Sequence, residues 1–388
     1  MIKEDGFMSG TKKINAGIIG ATGYAGCELF RLLTCHKNVN ISAVSSSSFE
    51  GKQLSEIYPA LSGKGDMVLC GMDEVIEKSD VIFAALPHGL SEPLAEKCIS
   101  AGKVLIDLGA DFRLYDKDDY KKWYGLDFKY PSLHKKALYC LPEINRDKIK
   151  SVDIIANPGC YPTSIALGLM PALKNGLCFT DGIIIDSKSG VTGAGRSLTQ
   201  NTHYPDTNEA FSAYKAGLHR HTPEIEQTLS ILSGKEINVT FVPHLLPVNR
   251  GILSTIYIKT NRNFDEIYNC YKDAYKDEKF VRVMPQNSYA NIKNVRMSNY
   301  CDISLHFDAH TSTLIITSAI DNMVKGAAGQ AIQNMNIRFG FDEDEALRRF
   351  EAPEIVISAD LGAGDAATTV WTCDLTHEYI SINGDYRS

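Results

Sequence analysis

Ile14-Asn-Ala-Gly17-Ile-Ile-Gly20-Ala-Thr-Gly23-Tyr-Ala-Gly26-Cys-Glu-Leu-Phe-Arg-Leu-Leu33 decides the fold. Residues 14–19 read as a buried strand, and apolar residues recur at helical spacing over 25–33. Gly20, Thr22, Gly23, Tyr24 and Gly26 occupy the turn between them, the context in which a dinucleotide-binding fingerprint works. Small residues let the backbone approach a pyrophosphate, and the helix N-terminus offers free N–H groups and a positive dipole end. The spacing is G-x-x-G-x-x-G rather than the commoner G-x-G-x-x-G. A tight turn with no ligand is the plainer alternative.

Outward from that turn the pattern repeats. Residues 39–44 read as a second strand, followed by Ser45-Ser46-Ser47-Ser48. No acid stands at the strand end to hold a ribose 2′-hydroxyl, whereas Ser45, Ser46 and nearby Lys52 suit a 2′-phosphate, which favours NADP over NAD. A solvated serine loop is the alternative. Apolar runs at 81–85 and 104–108 flank a helical stretch at 92–100. The alternation predicts an α/β fold with a Rossmann-type doubly wound parallel sheet. From about residue 180 the segments 182–186, 239–243, 253–260, 304–306 and 314–318 read as strands, and 264–275 as a helix. Few helices separate these strands, so an α+β domain with a large mixed sheet is expected. Residues 322–335 return to a helical period. Residues 341–345 form an acidic, linker-like break before a tail, and residues 1–13 form a polar leader.

The 388 residues leave room for two domains and an appendage. A net charge of -7 argues against nucleic acid or an anionic membrane as partner. No window reaches the length of an apolar membrane span. The N-terminus lacks an apolar signal core, so a cytoplasmic protein is expected. Ten cysteines are scattered with none at Cys-x-x-Cys spacing, which suits reduced thiols and offers no zinc site.

One cysteine differs from the rest. Asn157-Pro-Gly-Cys160-Tyr-Pro-Thr163 precedes a helical run that stops at Asn175-Gly176. Pro162 suits a first turn and Gly176 a C-terminal cap, so Cys160 stands at a helix start. There the dipole favours a thiolate, and a lowered pKa is expected. Gly159 is expected to leave room for a substrate. The alternative is a cysteine serving as a small cap. His219-Arg220-His221 precedes another helix start, with Thr222 as N-cap and Pro223 in the first turn. Cations crowded at a helix start make sense if an anion sits between them. The His-x-His pair has no evident third metal ligand, so no metal is expected.

Ordered motifs over residues 14–340 resemble the N-acetyl-γ-glutamyl-phosphate reductases. They are Gly20-Ala-Thr-Gly23-Tyr-Ala-Gly26, Leu108-Gly-Ala-Asp-Phe-Arg113, Leu141-Pro-Glu-Ile-Asn145, Asn157-Pro-Gly-Cys-Tyr-Pro-Thr163 and Lys188-Ser-Gly-Val-Thr-Gly-Ala-Gly-Arg196. His219-Arg-His-Thr-Pro-Glu-Ile225, Pro243-His-Leu-Leu-Pro247, Asp321-Asn322 and Lys325-Gly-Ala-Ala-Gly329 follow. Gly109 departs from the pattern, which expects serine. The resemblance implies NADPH-dependent reduction of an acyl phosphate to a semialdehyde in arginine biosynthesis, through a thioester on Cys160. It implies acid/base work by His219, with His221 second. Arg113, Lys188, Arg196 and Arg220 become candidates for substrate anions, with Asn157 and Glu224 beside the substrate. Asn322 and Lys325 are expected to complete the nicotinamide pocket. The implied organisation is an NADP-binding domain at 14–159, a catalytic and dimerisation domain at 160–319, a helix at 320–340 returning to the first, and a tail at 341–388. A homo-oligomer, dimer or tetramer, is expected. An aspartate-semialdehyde dehydrogenase is the runner-up, and an inactive scaffold the reading from another class.

The tail is similar to something else. Asp360-Leu-Gly-Ala-Gly-Asp365, Val370-Trp-Thr-Cys-Asp-Leu-Thr-His-Glu-Tyr379 and Ile382-Asn-Gly-Asp-Tyr-Arg-Ser388 resemble the end of ornithine acetyltransferase. The resemblance implies substrate contacts for Asn383 and Ser388, but that enzyme's nucleophilic threonine has no counterpart. The tail is expected to lack transferase activity, and a stop after Gly340 to leave the reductase unchanged.

Overall fold

A computed structural model describes residues 13–347. The polar leader and the expectations for Asn383 and Ser388 lie outside the described residues. Among the described residues fourteen strands build two sheets of seven. The first sheet contains β1 (Ile14–Ile19), β2 (Val39–Ser45), β3 (Leu69–Cys70), β4 (Val81–Ala84), β5 (Val104–Asp107), β6 (Ala137–Tyr139) and β7 (Ile154–Ala156). Their order is β3-β2-β1-β4-β5-β7-β6, and every neighbouring pair is parallel. The chain turns opposite ways from β1 to β2 and to β4, so a crevice opens past the ends of β1 and β4, where such sheets bind ligands. Gly20 lies in that crevice with φ +82, and a Cβ there would stand 2.4 Å from the Ala85 carbonyl oxygen. At Gly26 a Cβ would stand 2.2 Å from the Gly20 oxygen. Only glycine closes this turn.

The second sheet contains β8 (Ile183–Gly190), β9 (Ser212–Ala213), β10 (Val239–Leu246), β11 (Ile252–Lys259), β12 (Val281–Val283), β13 (Cys301–Asp308) and β14 (Thr313–Ile320). Its order is β12-β13-β14-β11-β8-β10-β9. β8–β10 and β12–β13 are parallel and the other pairs antiparallel, so the sheet is mixed. The helix Cys160–Lys174 is buried from Tyr161 to Leu173 and packs on this sheet. A chain of hydroxyls, Ser164–Ser254–Ser187, links the helix to β11 and β8 at 2.7 and 2.8 Å.

The returning segment differs from its expected form. Val324–Ala328 is a π-helical turn, with Gly326 N–H donating to Asp321 O and Ala328 N–H to Met323 O. The α-helix proper is Gly329–Phe339. A 3.6-residue period in the sequence carries no mark of i→i+5 bonding. The acidic stretch at 341–345 is likewise no free linker. Phe341 and buried Leu347 pack on the first sheet's core, Glu343 pairs with Arg146 at 3.0 Å, and Asp344 with Lys279 at 2.8 Å.

Candidate active site

Cys160 opens its helix behind Gly159, whose N–H donates to Glu224 Oε1 at 2.7 Å. Glu224 comes from the first turn of the helix Thr222–Ser233 and is fully buried. It also accepts from Tyr139 Oη at 3.0 Å and faces Arg113 Nη1 at 3.4 Å. Arg113 donates to the carbonyls of Asn157 at 2.9 Å and Leu108 at 2.7 Å. One carboxylate and one guanidinium thus fasten the ends of β5 and β7 to the Cys160 turn. The room left by Gly159 is already taken, because a Cβ there would stand 2.7 Å from His221 Nε2 and 2.9 Å from Arg113 Nη1. On the other side a Cβ at Gly326 would stand 2.7 Å from Cys160 Cβ. The π turn therefore presses against the cysteine, a contact that the sequence reading missed; a glycine beside a lysine gave no sign of it.

A cavity of about 780 Å³ lies over Cys160. Arg113, His219, Arg220, His221 and Cys160 line it. Lys215, also in the wall, was not anticipated, and its φ of +45 is unusual for a side chain that long. Tyr161, Tyr214 and Phe241 set their rings edge-on around His219, with centroids 5.4, 5.6 and 5.5 Å away. Burial in this cage, then the charges of Lys215 and Arg220, hold the His219 imidazole down at about 4. Burial, then His219 and Arg113, push His221 well below its usual value. His219 Nδ1 accepts from the His221 N–H at 3.1 Å, so the neutral ring carries its proton on Nε2. Burial also pushes the Cys160 thiol up to about 11, and the Arg113 charge and the Tyr161 N–H do not reverse it. The expected lowered thiol pKa is therefore corrected. The helix start is real, but in the free site desolvation outweighs it.

Other candidates fall away from the cavity wall. Strand alternation buries Ile183, Ile185, Ser187 and Ser189 on the side of the Cys160 helix, so Lys188 lies on the opposite face, paired with Asp186 at 2.9 Å. Lys325 is wholly buried in a 2.5 Å pair with Glu143 and also donates to Gln333. Asn322 holds the Gly251 N–H and the Thr192 hydroxyl. Asn157 donates to the Ala327 carbonyl and accepts from Asn334. Arg196 donates to the Thr22 carbonyl at 2.9 Å, beside the glycine turn rather than beside Cys160. Around that turn Ser45 contributes its carbonyl to the Gly20 and Ala21 N–H groups. Ser46 Oγ meets Thr22 Oγ1 at 2.7 Å, Tyr24 opens the helix after the Gly23 N-cap, and Lys52 is exposed. Gly109 leaves little space for the expected serine, since a Cβ would stand 2.9 Å from Asp107 Oδ1. Among the described residues there is no cluster of metal-ligand type and no helix long and apolar enough to cross a membrane.

This architecture is that of the semialdehyde dehydrogenases. Residues 15–152 match the family model "Semialdehyde dehydrogenase, NAD binding domain" and residues 160–322 match "Semialdehyde dehydrogenase, dimerisation domain". The aspartate semialdehyde dehydrogenase II of Vibrio cholerae shares the fold, with a TM-score of 0.67 at 18% identity over 85% of this chain and 99% of that one. The Candida albicans aspartate semialdehyde dehydrogenase solved with NADP superposes at 0.63 and 16% identity, covering 84% of this chain and 98% of that one. Sequence separates the branches within that class. N-acetyl-gamma-glutamyl-phosphate reductase of Clostridium beijerinckii is 57% identical over 336 residues, 86% of this chain and 98% of the relative. That of Brachyspira hyodysenteriae is 58% identical over 344 residues, 86% and 98%. The chain belongs to the N-acetyl-γ-glutamyl-phosphate reductase family, and the aspartate-semialdehyde runner-up is set aside. Residues 307–388 also match the ArgJ family model, in line with the resemblance of the tail. β14 and the helix Gly329–Phe339, inside that match, are integral to the reductase body.

Proposed function

We propose that the chain catalyses NADPH-dependent reduction of N-acetylglutamyl 5-phosphate to N-acetylglutamate 5-semialdehyde and phosphate, a step of arginine biosynthesis, through a thioester on Cys160. Family membership supports the overall reaction. The observation that carries the site is the convergence of Cys160, His219 and two cations without acidic partners among the described residues, Lys215 and Arg220, on one cavity. Cys160 Sγ attacks the acyl carbon, the acyl–phosphate bond breaks, and the thiol proton leaves with the phosphate as hydrogen phosphate. A protonated resting thiol therefore needs no separate base of high affinity. The glycine turn fits a dinucleotide, because Gly20 and Gly26 let the backbone fold tightly on itself while Gly23, the N-cap, has nothing nearer its missing Cβ than 3.4 Å and leaves the first N–H groups without a side-chain partner. Bound NADPH supplies the hydride to the thioester carbon. His219 Nε2–H donates a hydrogen bond to the oxygen that becomes negative, as an oxyanion-stabilising group. Cys160 Sγ then leaves as thiolate, giving the aldehyde, and takes up from solvent the one proton that the overall reaction consumes. Lys215 and Arg220 receive the phosphate and carboxylate of the substrate, with Arg113 deeper in the wall.

The working assembly is a homo-oligomer, dimer or tetramer, in the cytoplasm. The match to a dimerisation domain supports association. Mass spectrometry of Cys160→Ser tests the chemistry. Incubated with acyl phosphate and no cofactor, the native chain gains a hydroxylamine-labile acyl group on the Cys160 peptide, and the variant gains none and loses turnover. Turnover near native in the variant sinks the mechanism.

A further inference from the structure

Arg196 belongs by sequence to the second half of the chain, yet its guanidinium sits at the mouth of the first half's glycine turn. Its Nη1 donates to the Thr22 carbonyl at 2.9 Å, the same oxygen that accepts from Tyr58 Oη at 2.9 Å. The guanidinium packs over the rings of Phe49 and Tyr58 at 5.5 and 5.4 Å. Both rings lie in the segment just after β2. Beside them Thr22 Oγ1 and Ser46 Oγ are 2.7 Å apart, with Ser46 one residue past the end of β2. That is where a dinucleotide's adenosine ribose falls in such a fold. No carboxylate pairs with Arg196 among the described residues, and none stands at the end of β2.

The segment that delivers Arg196 is anchored. Val191 N–H donates to Val248 O at 2.9 Å, Thr192 Oγ1 donates to Asn249 O at 2.6 Å, and Asn322 Nδ2 donates to Thr192 Oγ1 at 3.0 Å. Gly195, at φ +83, then turns the chain across the cleft.

We propose that Arg196 reads the 2′-phosphate of NADPH from across the cleft. The inference rests on the NADPH-dependent reading above and reassigns Arg196 from substrate to cofactor. A guanidinium steadied by two rings keeps its charge and presents its remaining N–H groups as a fork suited to phosphate oxygens. The hydroxyls of Thr22 and Ser46 lie alongside as further donors. Lys52, exposed and without such support, is the competing reader.

The test uses the full chain with Arg196→Ala, Arg196→Lys and Lys52→Ala. Calorimetry compares adenosine 2′,5′-bisphosphate with 5′-AMP, probes that differ only by the 2′-phosphate, and kinetics compare NADPH with NADH. Arg196→Ala is expected to reduce the preference for the bisphosphate about 10- to 100-fold, the size of a lost charge-assisted contact. The NADPH-to-NADH ratio of kcat/KM falls in parallel, and Arg196→Lys retains part of both. Equal weakening of the two probes would mean a loop anchor and overturn the proposal. So would loss of the preference in Lys52→Ala with Arg196→Ala unchanged. A native chain that does not distinguish the probes would overturn the NADPH reading itself, a different result.

Discussion

Gly326→Ala tests whether the π turn positions the nucleophile. The added methyl would lie 2.7 Å from Cys160 Cβ, 3.2 Å from Cys160 Cα and 3.3 Å from Ile320 Cδ1. Non-bonded carbons prefer about 3.5–4.0 Å, so the turn and the cysteine must separate by roughly 1 Å. The turn cannot easily give way. Lys325 is held by Glu143, and the Asp321 carboxylate accepts from the N–H groups of Met323, Val324 and Met297. The Cys160 turn is held too, at Gly159 by Glu224 and Thr163 and at Asn157 by Arg113, so the two sides share the shift and the cysteine cannot keep its place. Overpacking of this kind costs about 1–3 kcal/mol of stability. A misplacement of about 1 Å at a reacting atom costs on the order of 10²-fold in rate. The assay is phosphate-dependent reduction of NADP by the semialdehyde, run beside iodoacetamide labelling of the Cys160 peptide. Gly71→Ala is the control, because its methyl meets nothing closer than 3.5 Å. The expected outcome is kcat reduced about 30- to 100-fold with little change in adenosine bisphosphate binding. Activity within a factor of two of native, with unchanged labelling, would refute the positioning role.

The His219 imidazole is expected to remain neutral until the pH nears 4, which selective ¹⁵N labelling and NMR titration would show. Because its folded pKa lies below the unfolded one, the unfolded state binds more protons in between. The associated stability is present above about pH 6.5 and lost as pH falls through about 4, so native and His219→Gln urea midpoints should converge on acidification. A titration near 6.5 would refute the caged, neutral imidazole. A stop after Gly340 removes buried Leu347 and the carboxylates facing Arg146 and Lys279, and is expected to cost about 3–6 kcal/mol. A stop after Arg349 should leave urea stability and reductase activity intact; equal stability of the two truncations would show that 341–347 contributes nothing.

The parts of this fold written in local sequence were legible. Gly20 and Gly26 mark a turn that nothing larger can make, and Cys160 stands at a helix start because Gly159, Pro162 and Gly176 frame that helix. Lys188 was also legible in principle. Buried Ile183 and Ile185 set a period of two that points residue 188 away from the Cys160 helix. Contacts set by tertiary closure were not legible. Arg196 meets Thr22 across 174 positions, and Glu224 meets Gly159 across 65. The charges of Glu343 and Asp344 looked like those of a solvated linker because their partners, Arg146 and Lys279, lie far back in the chain. Strand β8 runs on to Gly190, past the apolar run, because neighbours on both sides pair its polar residues.

The charge balance around Cys160 bears on when its proton is released. Arg113 faces Glu224 within the wall, both imidazoles are neutral, and Asp206 stands 3.6 Å from His203. Lys215 and Arg220 have no acidic partner among the described residues, and together they outweigh Asp206, the carboxylate in the cavity lining. A site that kept a thiolate at rest would place a cation against the sulfur strongly enough to overcome burial, and here burial prevails. Two such cations beside a neutral thiol suit instead a substrate that brings its own negative charge. An acyl phosphate brings that charge and also an acceptor for the thiol proton, since the departing phosphate takes it. Iodoacetamide, which brings neither, should therefore label Cys160 slowly at neutral pH and faster as pH rises toward about 11, while acylation by acyl phosphate proceeds at neutral pH. Rapid, pH-independent labelling between pH 6 and 8 would show a standing thiolate and return the proton to a base in the free site.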